Sequence, residues 1–476
     1  MLKDHIQAKL IEFLDHDPTP GQILFNSKLP DFLLQENQDE VLVLKGYAGT
    51  GKTTSIKAMV KTLEDLKIRS VLMAPTGRAA KVMTAITGSP AYTIHKKIYR
   101  QQSSKDGFGV FVLDRNLYKN TFFIVDEASM ISNEAKNVSI FGSGRLLDDL
   151  MEYVYSGKNC KLILVGDTAQ LPPVGKDLSP ALNIMEIKAH GFVAHEFFFN
   201  EVVRQSSESG ILFNATLLRE KLKEKQFGKL VFNMRGFDDI QYIPGSMFLD
   251  ELSNCYDLSG TEDTMVVVRS NKQANMYNAG IRSQILWKEE RISNGDLLMV
   301  VKNNYFYSDE NEQFDFIANG DIIEILKIYG YEERYGFRFA DVKIRLIDYH
   351  EMELDVKLLL DTLDLESPSL PAESHKELFF SVTEDYSDIK IKKKRYEEVR
   401  NDSFFNALQV KFAYAITCHK AQGGQWKNVF IDHGYFVDDM YNREYLRWLY
   451  TAFTRAIDKL YLVNFNKAFF REEDIE

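Results

Sequence analysis

A chain of 476 residues exceeds what one hydrophobic core usually supports, so two or more domains are expected. With 45% hydrophobic and 27% charged residues the composition excludes a disordered or fibrous chain. The formal net charge of −11 speaks against a broad basic face for gripping duplex nucleic acid but leaves room for a narrow basic channel.

Along the chain, "MLKDHIQAKLIEFLDHD" carries acids among its apolar positions, which suits no signal peptide, and spaces Ile6, Leu10, Phe13 and Leu14 as an amphipathic helix. Four apolar runs follow, each ending in a polar or glycine-containing turn: VLVLKG (41–46), SVLMAPTG (70–77), FFIVDE (122–127) and KLILVGD (161–167). Such runs, alternating with helical patterns, predict a parallel sheet covered on both faces, hence α/β architecture. Ile56, Met59, Val60, Leu63 and Leu66 supply the crossover helix between the first two strands. The polar segment 101–116 predicts a hairpin turning at Lys105-Asp106-Gly107.

A second series, TMVVVRSN (264–271), VKFAYAIT (410–417), NVFIDH (428–433) and KLYLVNF (459–465), predicts another α/β layer with a long insertion. Inside the insertion, short β-type runs alternate with glycine and asparagine turns and predict a small antiparallel barrel. Cys160, Cys255 and Cys418 form no CxxC pair, so neither a zinc pattern nor a disulfide framework is present and a reducing, cytoplasmic setting fits. No stretch approaches the roughly 20 apolar residues of a membrane helix, and no membrane partner is expected.

The stretch GYAGTGKTT (46–54) matches G-x-x-x-x-G-K-[ST], follows a strand and opens a helix, the context of a phosphate-binding loop. Gly46, Gly49 and Gly51 let backbone N–H groups turn toward phosphates at the helix N-terminus, with Thr54 in its first turn. Lys52 is placed for the β/γ-phosphates and Thr53 for a Mg²⁺ ion, so ATP and Mg²⁺ are the expected cofactors. Asp126 and Glu127 end a buried strand, where paired acids are costly without a task. Asp126 suits the metal's coordination shell and Glu127 the activation of an attacking water. In LVGDTAQLPPVG (164–175), Gln170 stands at the carboxyl edge of the sheet, where it could contact both the γ-phosphate and that water.

With these residues in place the sequence resembles superfamily 1 DNA helicases of the RecD-like and Dda-like branch, through ordered motifs spread over nearly the whole chain. PTPGQ (18–22) is similar to the adenine-reading Q motif, with Gln22 as reader; APTGRAA (74–80) and TIHK (93–96) are similar to the strand-contacting motifs Ia and Ib. EVVRQ (201–205) is similar to motif IV, AITCHKAQGGQW (415–426) to motif V and YTAFTRA (450–456) to motif VI. A close neighbour, the Pif-type branch, has an extended signature whose place is taken here by FGSGRLLDDLMEYV (141–154).

The resemblance implies two tandem RecA-like domains, the first over 1–200 and the second over 201–287 and 406–476. It implies a pin hairpin inserted at about 97–118 and an SH3-like barrel module over 288–405. It also implies that Arg204 and Arg455 reach the γ-phosphate from the second domain, and that Thr76, Thr93, His95, Thr417 and His419 contact a nucleic-acid strand. Phe108 or Phe111 would be the pin's stacking wedge. The implied activity is an Mg²⁺- and ATP-dependent DNA helicase, a monomer moving 5′ to 3′ on single-stranded DNA and opening single-strand/duplex junctions in replication or repair. An RNA-directed motor is an alternative, since phosphate-reading motifs distinguish the two sugars poorly. So is a non-translocating regulatory ATPase that binds a protein partner through the barrel. The run IKIKKKRYEEVR (389–400) reads as a solvated helix face, with DNA contact as its alternative.

Overall fold

The computed structural model describes residues 2–35, 39–102, 110–134, 141–201, 209–307, 316–347, 349 and 352–471. Its first layer is a six-stranded parallel sheet, in spatial order Ala91–Thr93, Arg69–Ala74, Lys119–Val125, Lys158–Gly166, Glu40–Gly46, Val193–Phe199. Side chains alternate between two covered faces, which explains the unbroken apolar stretches Val41–Leu44, Val71–Ala74, Phe122–Val125 and Leu162–Val165 within the central strands. Val41, Val43, Phe123, Val125, Leu162 and Leu164 bury into one core with Leu147, Leu150 and Val154 of the helix Leu146–Ser156. Leu42, Leu44, Phe122, Ile124, Ile163 and Val165 bury into the opposite core with Ile6 and Leu10 of the N-terminal helix Leu2–Glu12 and Ile56, Met59, Val60 and Leu63 of Lys52–Asp65.

Two edge strands escape the sequence reading. Val193–Phe199 runs beside Glu40–Gly46, yet its pattern is broken by His195 and Glu196, because an edge strand is only partly covered. Ala91–Thr93 is three residues long, too short for a periodic signal.

The second layer is a five-stranded parallel sheet, Ala415–Thr417, Thr264–Val268, Trp426–Asp432, Ala456–Val463, Ile240–Ile243. Between its strands lies a closed barrel of Leu297–Val300, Ile322–Arg334, Phe337–Leu346, Met352–Leu359 and Leu408–Phe412. The helices Ala372–Asp385 and Lys392–Arg400 precede its last strand. Two expectations are corrected here. The run VKFAYAIT is two strands: Leu408–Phe412 closes the barrel, and after Ala413-Tyr414 the chain enters the second sheet at Ala415. The barrel is also not wholly antiparallel, since Met352–Leu359 and Leu408–Phe412 pair in parallel across the intervening helices.

The hairpin is present as Tyr99–Gln102 paired with Val110–Leu113, while its tip, including Phe108, lies outside the described residues. Phe111 is not an exposed wedge. It is 8% exposed, stacked on Phe141 at 4.9 Å and against Tyr305 of the barrel module at 4.1 Å. Burying a ring where hairpin and barrel meet gains more than presenting it to water.

In Phe337–Leu346, Val342, Ile344 and Leu346 point into the barrel and Lys343 points out. Ile344→Ala should therefore cost about 2–5 kcal/mol, read as a lower urea midpoint. Lys343→Ala should leave that midpoint nearly unchanged.

Candidate nucleotide site and domain seam

The phosphate loop leaves the central strand at Gly46 and enters the helix Lys52–Asp65. A Cβ on Gly46 would lie 2.8 Å from Thr50 Oγ1 and 3.0 Å from Phe199 Cβ, so only glycine lets the loop turn there. Gly49 and Gly51 have φ of +73° and +81°, the left-handed turns that aim successive N–H groups to one side. Lys52 Nζ donates to the Tyr47 carbonyl at 2.7 Å, which holds the side chain back across the loop, and Thr54 Oγ1 donates to the Gly51 carbonyl at 2.8 Å.

Gln22 is fully buried behind this loop. Its amide nitrogen lies 3.4 Å from the Gly51 carbonyl and 3.2 Å from Ser55 Oγ, and its Oε1 accepts from the Thr19 N–H at 3.0 Å. Thr19 and Gln22 form a reciprocal capping box at the start of Pro20–Leu34. The side chain expected to read a base thus has its amide engaged in joining that helix to the loop.

Asp126 follows the strand Lys119–Val125, its N–H bonded to the Met73 carbonyl of the neighbouring strand. Burial, with the Glu127 charge beside it, pushes its carboxyl up to about 7, while the Glu127 N–H at 2.8 Å and the Lys52 ammonium favour the ionised form. Glu127 has φ +52°, a strained conformation for a non-glycine residue that costs on the order of 1–3 kcal/mol. The turn after it is fastened by the buried Ser179 hydroxyl, 2.7 Å from the Ala128 carbonyl and 2.8 Å from that of Ile131. Gly166 lets it approach, since a Cβ there would lie 3.0 Å from the Ser129 nitrogen. Gln170 is 6% exposed and its buried Oε1 has no hydrogen-bond partner among the described residues, an orphaned acceptor at the sheet edge. Thr53 is half-buried and its hydroxyl has no partner among the described residues.

Across the seam stands the helix Arg443–Phe453, buried on all sides from Tyr445 onward. Its Tyr450 hydroxyl accepts the Ala48 N–H of the phosphate loop at 2.7 Å and donates to Asp167 Oδ2 at 2.7 Å. Thr451 Oγ1 accepts the Leu171 N–H at 2.9 Å, and Gln422 Nε2 donates to the Leu171 carbonyl at 2.8 Å. Arg447 donates to the Asp177 carbonyl. Arg219, from the helix Gly210–Glu224, stacks over the Tyr47 ring at 4.6 Å. The sequence reading missed these residues. The i, i+3, i+4 spacing of Arg447, Tyr450 and Thr451 among the apolar residues that follow Glu444 was the available signal.

Residues 33–230 match the AAA domain family and residues 412–463 the UvrD-like helicase C-terminal domain. The chain is 25% identical over 520 residues to "Uncharacterized protein R530" of Acanthamoeba polyphaga mimivirus, covering 92% of this chain and 98% of that protein. It is 24% identical over 416 residues to "ATP-dependent DNA helicase dda" of Enterobacteria phage T4, covering 82% of this chain and 87% of that one. It is 34% identical over 173 residues to "ATP-dependent RecD2 DNA helicase" of Deinococcus radiodurans, 36% of this chain but only 21% of that protein's length. With both helicase-type domains matched, the chain belongs to the superfamily 1 helicases of the RecD-like and Dda-like kind. It is accordingly an ATP-hydrolysing enzyme.

In this helicase the expected arginines fare differently. Arg204 lies outside the described residues. Arg455 is 2% exposed and turned into its own domain, where its guanidinium donates to the carbonyls of Thr451 and Gly424 at 3.0 Å each and lies 3.3 Å from Thr454 Oγ1. This arrangement does not bring it to the phosphate loop, because those carbonyls satisfy its donors.

The strand-contacting candidates divide similarly. Thr76 and Thr93 are N-caps, accepting the N–H groups of Ala79 and Lys96 at 3.2 Å each. Thr93 is 7% exposed and serves its helix. Thr76 is half-buried, and since a cap uses the hydroxyl oxygen its own hydrogen stays available for donation. His95 packs on Phe141 at 4.9 Å and Tyr99 at 5.7 Å, and burial holds its imidazole down at about 4, hence neutral. Thr417 precedes the short helix Cys418–Ala421 without a side-chain cap bond, and His419 on it is exposed. Thr76 meets this region: a Cβ on Gly423 would lie 3.0 Å from Thr76 Oγ1, and Arg78 stacks on Trp426 at 4.2 Å.

Replacing Lys52 by Ala or Glu127 by Gln should lower ATP turnover by about 100-fold or more, measured as phosphate release by purified protein with unchanged circular dichroism.

Proposed function

We propose that this helicase hydrolyses Mg²⁺–ATP at the seam and uses the cycle to move 5′ to 3′ along single-stranded DNA, unwinding the duplex ahead. Lys52 and the loop N–H groups take the β/γ-phosphates. Thr53 and Asp126 are the residues that would hold the Mg²⁺ ion, which when bound polarises phosphoryl oxygens. Glu127 accepts the proton of the attacking water, and Gln170 Oε1 accepts a hydrogen bond that orients it. Arg204 and Arg455 are kept as the γ-phosphate arginines; for Arg455 this requires its guanidinium to leave the Thr451 and Gly424 carbonyls.

The observation that carries the reading is that two sites share one pair of domains. Tyr450 touches Ala48 at the nucleotide end, and Trp426 touches Arg78 beside the Thr76 cap at the other. A change in closure at the first site alters spacing at the second, which is what alternating grip on a backbone needs. Thr76, Thr417 and His419 are the donors for strand phosphates, in keeping with a motor that must tolerate every sequence. Thr93 and His95 support the first domain's surface from behind.

The direction of movement, and DNA as substrate, are supported by the family resemblance and by the names of the relatives. Unwinding of duplexes carrying either a 5′ or a 3′ single-stranded tail tests activity, substrate and direction together. ATP-dependent opening of the 5′-tailed DNA duplex alone is expected; opening of the 3′-tailed one, or of RNA only, would refute the reading.

The packed Phe111 ring gives a second expectation. Phe111→Ala should loosen the hairpin from Tyr305 and lower the unwinding rate by about tenfold, with a smaller effect on single-strand-stimulated ATP turnover.

A further inference from the structure

The phosphate loop belongs to the first domain, but its Tyr47-Ala48 segment is held from the second. The Ala48 N–H donates to Tyr450 Oη at 2.7 Å, so one loop amide is committed across the seam. Tyr450 is 1% exposed, and its hydroxyl donates in turn to Asp167, itself 1% exposed and bonded to the Ala169 N–H at 2.8 Å. The preceding residue, Tyr47, carries the Arg219 guanidinium on its ring at 4.6 Å, and its carbonyl accepts from Lys52 Nζ at 2.7 Å. Two second-domain elements thus converge on two adjacent loop residues, one of which also orients the phosphate-binding lysine.

We propose that Tyr450 and Arg219 form a clasp on the phosphate loop that transmits its conformation to the second domain, Tyr450 being a positioning residue for Ala48 and Arg219 one for Tyr47. The inference rests on the helicase reading and deepens it by naming how the loop and the second domain communicate.

The physical case is one of satisfaction. Separating the domains leaves the Ala48 N–H, Asp167 Oδ2 and the Tyr450 hydroxyl without these partners, so water must replace them before the seam can open. The loop's shape therefore sets how firmly the seam is shut. Because the hydroxyl both accepts and donates, it links the loop to the Asp167–Gln170 turn and transmits a shift in either to the Arg443–Phe453 helix. The same helix carries Thr451, bonded to the Leu171 N–H, so the three contacts move together. Arg219 adds a planar stack that lysine cannot reproduce.

The test uses the intact chain. Amide hydrogen exchange over residues 46–50 is compared between the native protein and Tyr450→Phe, which removes only the hydroxyl. Ala48 should exchange about fivefold faster in the variant; equal rates overturn the clasp. ATP turnover is then measured with and without a single-stranded DNA oligomer for Tyr450→Phe, Arg219→Ala and Arg219→Lys. Each should lower the stimulation ratio by about tenfold while KM for ATP stays within about twofold. Native-like stimulation in the Tyr450 variant, or in both Arg219 variants, overturns the coupling role. A native protein indifferent to single strands would count against the helicase reading instead, and the exchange result would still decide the clasp. Arg219 is only half-buried, so its variants remain informative should Tyr450→Phe fold poorly.

Discussion

The structure depends on how the carboxyl edge of the first parallel sheet is covered. The loops there carry backbone N–H and carbonyl groups that the sheet itself does not satisfy, and closing the second domain over them unpaired would be costly. One helix, Arg443–Phe453, meets that demand: Tyr450 takes the Ala48 N–H and Asp167, Thr451 takes the Leu171 N–H, and Arg447 takes the Asp177 carbonyl. The same polar row that completes the first domain therefore also joins it to the second. A seam made of directional hydrogen bonds, not only of apolar packing, can part and re-form along a defined path.

The first sheet was legible in the sequence because its central strands are buried on both faces and read as unbroken apolar runs. The phosphate loop was legible because its glycines, lysine and threonines have a fixed spacing imposed by the geometry of phosphate binding. Less local features were not. Val193–Phe199 hides behind His195 and Glu196, and the switch from barrel to second sheet inside VKFAYAIT occurs within a single hydrophobic run, where composition carries no boundary. Thr93 and His95 matched a motif by position, yet their surroundings make one a helix cap and the other a packed ring. Tyr450 lies in YTAFTRA, where nothing local distinguishes it from a packing tyrosine, and only its partner across the seam reveals its task.

The inserted barrel is tied to the motor at several points. Tyr305 seats the hairpin's Phe111, Lys81 of the first domain donates to the Ile347 carbonyl at 2.7 Å, and Lys420 of the second donates to Asn319 Oδ1 at 2.7 Å. Gly77, at the start of the helix capped by Thr76, is closely approached by Asp321 and Tyr349. The barrel thus borders the face where the strand-contacting candidates lie. Its helix Lys392–Arg400 presents Lys392, Lys393 and Lys394 to solvent while Arg395 turns back to the carbonyls of Ser387 and Ile389, which agrees with a solvated face.

The central claim is that nucleotide occupancy at the first domain's loop changes how the two domains meet. It can be tested by pulsed electron spin resonance between labels on Met185→Cys and Leu258→Cys. These side chains are 74% and 87% exposed, one beside each sheet, and the native cysteines are all buried and so resist labelling. The account predicts a distance distribution that shifts when a non-hydrolysable ATP analogue with Mg²⁺ is added. A distribution that stays the same at saturating nucleotide would contradict it.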